Sequence, residues 1–136
     1  MSLSSSRLSS VKVGDPVYYR QVKVGTVVGY ELADTADQIL IYLSIRNRFK
    51  PLIRENSKFW HASGIAMDLK LFGTSKIRTE SLEAILQGGI AFATPDNEKM
   101  GRMLSSGSFF VLHDEPEPQW SQWNPIIHLS KETQQD

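Results

Sequence analysis

Apolar and polar residues alternate with a period of two over much of the chain, in short runs punctuated by glycine and proline. The triplet Gly14-Asp15-Pro16 is a turn signal, with Pro16 presetting the backbone at a strand entrance. Residues 17–20 and 22–30 then read as a hairpin. Period two puts Val22, Val24, Thr26, Val28 and Tyr30 on one face, and Lys23, Gly25, Val27 and Gly29 on the other. The two glycines leave that second face nearly bare, so a neighbouring backbone can approach closely. Residues 38–45, QILIYLSI, predict a strand too continuously apolar at its centre to be solvated on one side. Residues 58–60 start another, and 64–72, GIAMDLKLF, alternates with Ile65, Met67, Leu69 and Leu71 on one face. GIAFAT at 89–94 and FFVLHD at 109–114 are two more, and 126–129 adds a short last one.

Helical signals are sparse. Lys50-Pro51 opposes a long helix, leaving a short helical turn over 51–56 with Pro51 at its first position. One full helix is predicted over 79–87: Thr79 is the N-cap, Glu80 and Glu83 sit where the dipole favours acids, and Gly88 closes the end. Six or seven short strands with one short helix predict a mainly all-β fold, a small β-barrel. Residues 14–114 are its expected extent. The serine-rich residues 1–13 read as a leader or linker, with Met1, Ser2 and Leu3 as an expression leader on a piece of a longer chain. The proline-broken residues 115–136, with Trp120 and Trp123, read as a linker or the start of a following domain.

Composition narrows the function by exclusion. The chain has 136 residues, with 15 basic and 15 acidic side chains. With no net charge, the whole-chain field gives no argument for a nucleic acid or an anionic surface. There is no cysteine, hence no disulfide or zinc–thiolate site. No run reaches the roughly 18 apolar residues of a membrane span, and no signal-peptide pattern is visible. His61, His113 and His128 lack metal-ligand spacing, and Asp114, Glu115 and Glu117 form an acidic run punctuated by Pro116 and Pro118 that reads as a solvated linker. Neither a nucleophile elbow nor a phosphate loop is present. An enzyme is not expected, nor a cofactor.

Two clusters remain. Arg46, Arg48, Lys50, Arg54 and Lys58, interleaved with Phe49 and Trp60, could pass for a single-strand nucleic-acid groove, although at zero net charge long basic stems covering apolar surface are the favoured explanation. The other is the stripe Leu82, Ile85 and Leu86, preceded by Leu71, Phe72 and Ile77 around Gly73. Leaving the stripe in water forfeits roughly 1.5–3 kcal/mol per side chain. It must therefore meet the core, a neighbouring subunit or an apolar ligand, and sequence pattern does not choose among them.

The segments GDPVYYRQVKVGTV, IRNRFKPLIRENSKFW, SGIAMDLKLFG and RTESLEAILQGGIAFATP, in this order from Gly14 into the strand at 109–114, resemble the mammalian cell entry (MCE) domain, in particular that of paraquat-inducible protein B. Ser57-x-Phe59-Trp60 with Ser81-Leu82 and Gly88-Gly89-Ile90 carries most of the specificity. One departure is Gln21, where such domains usually have glycine after Tyr-Arg. The resemblance implies a seven-stranded barrel that assembles as a homohexameric ring, stacked with others along a longer chain. It further implies phospholipid transport across the bacterial periplasm, an inner-membrane anchor lying outside this chain, an inner-membrane partner protein, and no nucleic acid. An apolar loop from each subunit would line the pore. Carried over, that loop contains Leu71, Phe72, Ile77, Leu82, Ile85 and Leu86. The competing readings are a nucleic-acid-binding barrel and a structural spacer ring without lipid conduction.

Overall fold

The computed structural model describes residues 1–62, 88–104 and 107–129. Seven strands form a closed barrel: β1 (Ser2–Ser5), β2 (Pro16–Tyr19), β3 (Val22–Leu32), β4 (Ile39–Ile45), β5 (Lys58–His61), β6 (Ile90–Ala93) and β7 (Phe109–His113). Around the wall the order is β1-β4-β3-β2-β6-β5-β7, and β7 returns to β1. The pairs β1–β7, β2–β6 and β5–β7 are parallel, and the others antiparallel. The seven-stranded, mainly-β expectation is met. The helix over 79–87 and the strand over 64–72 lie outside the described residues.

The seventh strand comes from the segment expected to be a leader. Ser2–Ser5 pairs with β4 on one side and β7 on the other, and Leu3 is fully buried opposite Ile41 and Phe110. A strand needing only one inward apolar side chain among serines is nearly invisible to a hydrophobicity count. At the other end, residues 126–129 form no strand. Instead the Asn97 amide takes a strand's place: its Oδ1 accepts from the Ile126 N–H at 2.8 Å, and its Nδ2 donates to the Ile126 carbonyl at 2.9 Å. Ile127 and Leu129 pack on the main core from there.

The barrel interior holds Leu3, Val17, Val24, Val27, Ile41, Phe59 and Ile90, each 1% exposed or less, so burial of each contributes about 1.5–3 kcal/mol. Phe59 stacks on Phe92 at 4.9 Å, and Tyr19 and Phe110 extend this aromatic row. Strict period two fails on β3. Two bulges insert Val24 against β2 and Val28 against β4, as the register steps from Val17↔Gly25 to Tyr18↔Lys23 and from Val27↔Leu43 to Gly29↔Tyr42. Val24 and Val27 therefore both face the core, and bulges of this kind supply the bend that closure demands. The expected close approach to the bare glycine is present: a Cβ on Gly25 would lie 2.4 Å from the Ser44 carbonyl oxygen and 2.6 Å from the Ile45 side chain. On β4 the centre is not buried on both faces. Ile41, Leu43 and Ile45 point inward, while Tyr42 faces out and donates from its hydroxyl to Glu31 at 2.7 Å.

Pro51 does not open its helical turn. A 3-10 helix, Asn47–Leu52, begins four residues earlier with Pro51 inside it, and buried Leu52 anchors its end. From there Ser57 Oγ meets Thr94 Oγ1 at 2.7 Å, and Thr94 donates to the Leu52 carbonyl at 2.5 Å, tying this turn to the end of β6.

The β2–β3 hairpin turns on two residues, Arg20 and Gln21, with φ of 52° and 69°. Both are left-handed, as the type I′ turn favoured by strand twist requires, so Gln21 occupies a position suited to glycine. Gln21→Gly is expected to stabilise the fold by about 0.5–1 kcal/mol, the left-handed penalty relieved less the entropy glycine adds to the unfolded chain. A rise in the urea midpoint at unchanged slope is the check.

His61, at the end of β5, is buried, and its Nε2 has no hydrogen-bond partner among the described residues. Desolvation lowers its pKa below 6.5, with Asp114 opposing and Arg7 adding to the shift. The folded state thus favours the neutral ring. Its stability contribution is full above the unfolded pKa and is lost as pH falls through that value toward the lower folded one. Between pH 7.5 and 5.0, the denaturation midpoint is expected to drop further for the wild type than for His61→Leu. Equal drops would mean that the ring is solvated in the folded protein.

Candidate functional site

The six apolar residues singled out from sequence, Leu71, Phe72, Ile77, Leu82, Ile85 and Leu86, lie outside the described residues. What the structure places is the frame from which they depart. β5 and β6 are direct antiparallel neighbours, with His61 opposite Ile90. Hairpins of this kind are ordinarily closed by two to five residues. Here the 28 residues numbered 62–89 join them. The two ends of this connection are held together where it leaves the wall, since the Ala62 N–H donates to the Gly89 carbonyl at 2.9 Å. Gly88 and Gly89 have φ of 79° and 113°, and a Cβ on Gly89 would stand 2.6 Å from the Pro16 carbonyl oxygen. Both positions thus take positive φ values suited to glycine, and at Gly89 the Pro16 carbonyl also leaves no room for a side chain.

The other candidate clusters acquire definite surroundings. No group of three or more His, Asp or Glu side chains among the described residues is arranged to hold a metal ion. His113 sits edge-on to Trp120 at 5.1 Å. In the basic cluster, the guanidinium groups of Arg46 and Arg48 lie 5.7 and 5.5 Å from the Phe49 ring centre. Arg54 donates through Nε to the Pro51 carbonyl at 2.6 Å. These cations decorate the 3-10 helix and its exit, stacked on an aromatic ring as cation–π contacts favour. Asp114, from the acidic run, forms an exposed ion pair with Arg7 at 3.7 Å, which contributes little to stability.

A second site was not foreseen. The tail, expected to be a linker or the start of a following domain, folds back as a 3-10 helix, Pro118–Gln122, that buries Trp120 to 3% exposure against the outer wall of the barrel. Trp120 packs on Trp60 at 5.6 Å and on Trp123 at 6.2 Å. The spacing of the two tail indoles was the available signal, because residues i and i+3 of a 3-10 helix stack on one side. Under them lie Ala62, Ala91 and Ala93, small residues where a strand usually carries bulkier ones. The tail continues with the Asn124 N–H donating to Asp96 Oδ1 at 2.7 Å, then to the Asn97 bridge.

Between tail and wall is a cavity of about 390 Å³. Tyr18, Tyr19, Arg20 and Gln21 border it on the hairpin side, and Trp60, the alanines, Trp120 and Trp123 complete its walls. Burial raises the pKa of both tyrosines, helped at Tyr18 by Asp15 and opposed at Tyr19 by Arg20, so both hydroxyls are protonated donors at neutral pH. The Trp60 indole N–H is buried and has no acceptor among the described residues.

Comparison with known proteins places this frame. A family model described as "MlaD protein" matches residues 1–92. The chain is 36% identical over 118 residues to "Lipophilic envelope-spanning tunnel protein B" of Escherichia coli (strain K12), covering 87% of this chain and 13% of that protein. It is 35% identical over 99 residues to "Probable intermembrane transport protein" of Haemophilus influenzae (strain ATCC 51907 / DSM 11121 / KW20 / Rd), covering 73% of this chain and 11% of that protein. The chain thus spans a small fraction of the length of the curated relatives it matches. With its closed seven-stranded barrel and the motifs quoted above, the chain belongs to the MlaD family of MCE domains.

Proposed function

We propose that this domain is one unit of a multi-domain envelope protein of the paraquat-inducible protein B type, which moves phospholipid between membranes without catalysis. In this reading six copies form a ring. The protein lies in the periplasm, held in the inner membrane by a segment outside this chain and working with an inner-membrane partner protein. The supporting observation is the 28-residue connection between two strands that a tight turn could join. The connection is far longer than the pairing of its ends requires, and it carries Leu71, Phe72, Ile77, Leu82, Ile85 and Leu86. The relatives' names, an envelope-spanning tunnel and an intermembrane transport protein, supply the class of cargo path.

The mechanism follows from transfer energetics. An acyl chain crossing water exposes each methylene at a cost of about 0.8 kcal/mol. A ring of Leu82, Ile85 and Leu86 side chains, with Leu71, Phe72 and Ile77 at its base, offsets that cost over the length of the passage. No titrating group is required, so passage depends on apolar contact. The barrel serves as a rigid collar, because both ends of the connection are clamped at His61–Ile90 and Ala62–Gly89.

In the full-length protein in cells, a photo-crosslinking residue at position 86 is expected to yield phospholipid adducts, while one at Gln38, before β4, yields none. Crosslinks from 86 into the barrel, with no lipid adduct, would make the apolar stripe a plug and overturn the reading. Leu86→Asp is correspondingly expected to abolish transport while leaving the domain's thermal midpoint within a few degrees of wild type. Unfolding of the domain by that change would speak for the plug.

A further inference from the structure

The cavity under the tail lies on the outer wall, where Ala62, the first residue of the connection between β5 and β6, is one of its lining residues. Its volume, about 390 Å³, falls within the range of roughly 300–1,000 Å³ usual for small-molecule sites. Two features give it a chemical preference. Its body is apolar and aromatic: the partly exposed Tyr18, Tyr19, Ala93 and Trp123 line it beside the buried Trp60, Trp120, Ala62 and Ala91, so a slender group can lie along the rings over the small Ala93 side chain. In addition, Arg20 borders the cavity, and no acid is found among the described residues that line it. One Arg20 donor, Nη1, reaches Asn124 Oδ1 at 3.4 Å, a long contact that occupies one of five N–H groups.

From these features we infer that the cavity binds a single-chain anionic amphiphile, its apolar chain along Tyr18, Tyr19, Ala93 and Trp123 and its carboxylate at Arg20. A neutral apolar molecule would leave the guanidinium unused. Binding adds nothing covalent. It converts a hollow held open by the tail into a filled one, so occupancy and tail docking reinforce each other.

The three tryptophans of the chain all line this cavity, which makes their fluorescence a local probe. The 136-residue chain would be titrated with ω-bromoundecanoate, below its micellar concentration, and in parallel with ω-bromoundecanol. The bromine quenches an indole on contact. Saturable quenching by the carboxylate is expected, with the alcohol binding more weakly. Ala93→Leu, which fills the space over that side chain, is expected to weaken binding about tenfold or more. Arg20→Gln is expected to bring carboxylate and alcohol to equal affinity, with circular dichroism confirming that both variants are folded. Unsaturating quenching in the wild type would overturn the site, as would unchanged affinity in folded Ala93→Leu. A carboxylate preference that survives Arg20→Gln would overturn the assignment of the head group to that residue.

Discussion

The parallel pairing of β1 with β7 is the constraint on which the architecture rests. It joins the two ends of the sheet, and with it each strand has a partner on both sides, so no row of backbone donors and acceptors is left open. Everything that departs from regularity follows from closing seven short strands on themselves. The bulges at Val24 and Val28 turn β3 through the curvature, Gly25 lets β3 and β4 touch backbone to side chain, and Gly89 lets the entry to β6 press on Pro16. Closure also imposes an order of events. β7 must be available before β1 can be paired on both sides, and such distant pairings slow folding.

A barrel this small has one interior but two useful faces. The inner face is filled by Phe59, Phe92 and the aliphatics around them. On the outer face of β2, β6 and β5, Trp60 and the alanines form a second apolar surface, which the tail covers. Strand alternation produces both from one sequence: Phe59 and Phe92 point inward while their neighbours Trp60, Ala91 and Ala93 point outward. The tail is therefore part of the domain's packing, and its hydrogen bonds to Asp96 and Asn97 hold it along the loop after β6.

What the sequence made legible tracks how strongly each element writes its own periodicity. β2 through β7 carry runs of valine, isoleucine, tyrosine and phenylalanine between glycine and proline, and they were found within two residues at each end. β1 carries one apolar residue, Leu3, among serines, so its partners define it and its composition does not. The faces of β3 were misassigned because a bulge shifts alternation without leaving a local signature. The tail reads as a linker or the start of a following domain because it opens on the run Glu115-Pro116-Glu117-Pro118, while its packing depends on two indoles meeting a third sixty residues away in the chain. The six apolar residues of the long connection were legible as a group in need of burial. Their destination depends on what they face, and pattern alone does not encode that.

The clamp at the base of that connection has a consequence for how such domains diversify. Because His61–Ile90 and Ala62–Gly89 fix the two ends side by side, lengthening the intervening chain changes only its closure entropy. That entropy grows logarithmically, at about 0.6 kcal/mol for each doubling of length. The collar is therefore nearly indifferent to the size of what it carries. Insertions here can vary in length and chemistry while the wall, its bulges and its core stay as they are.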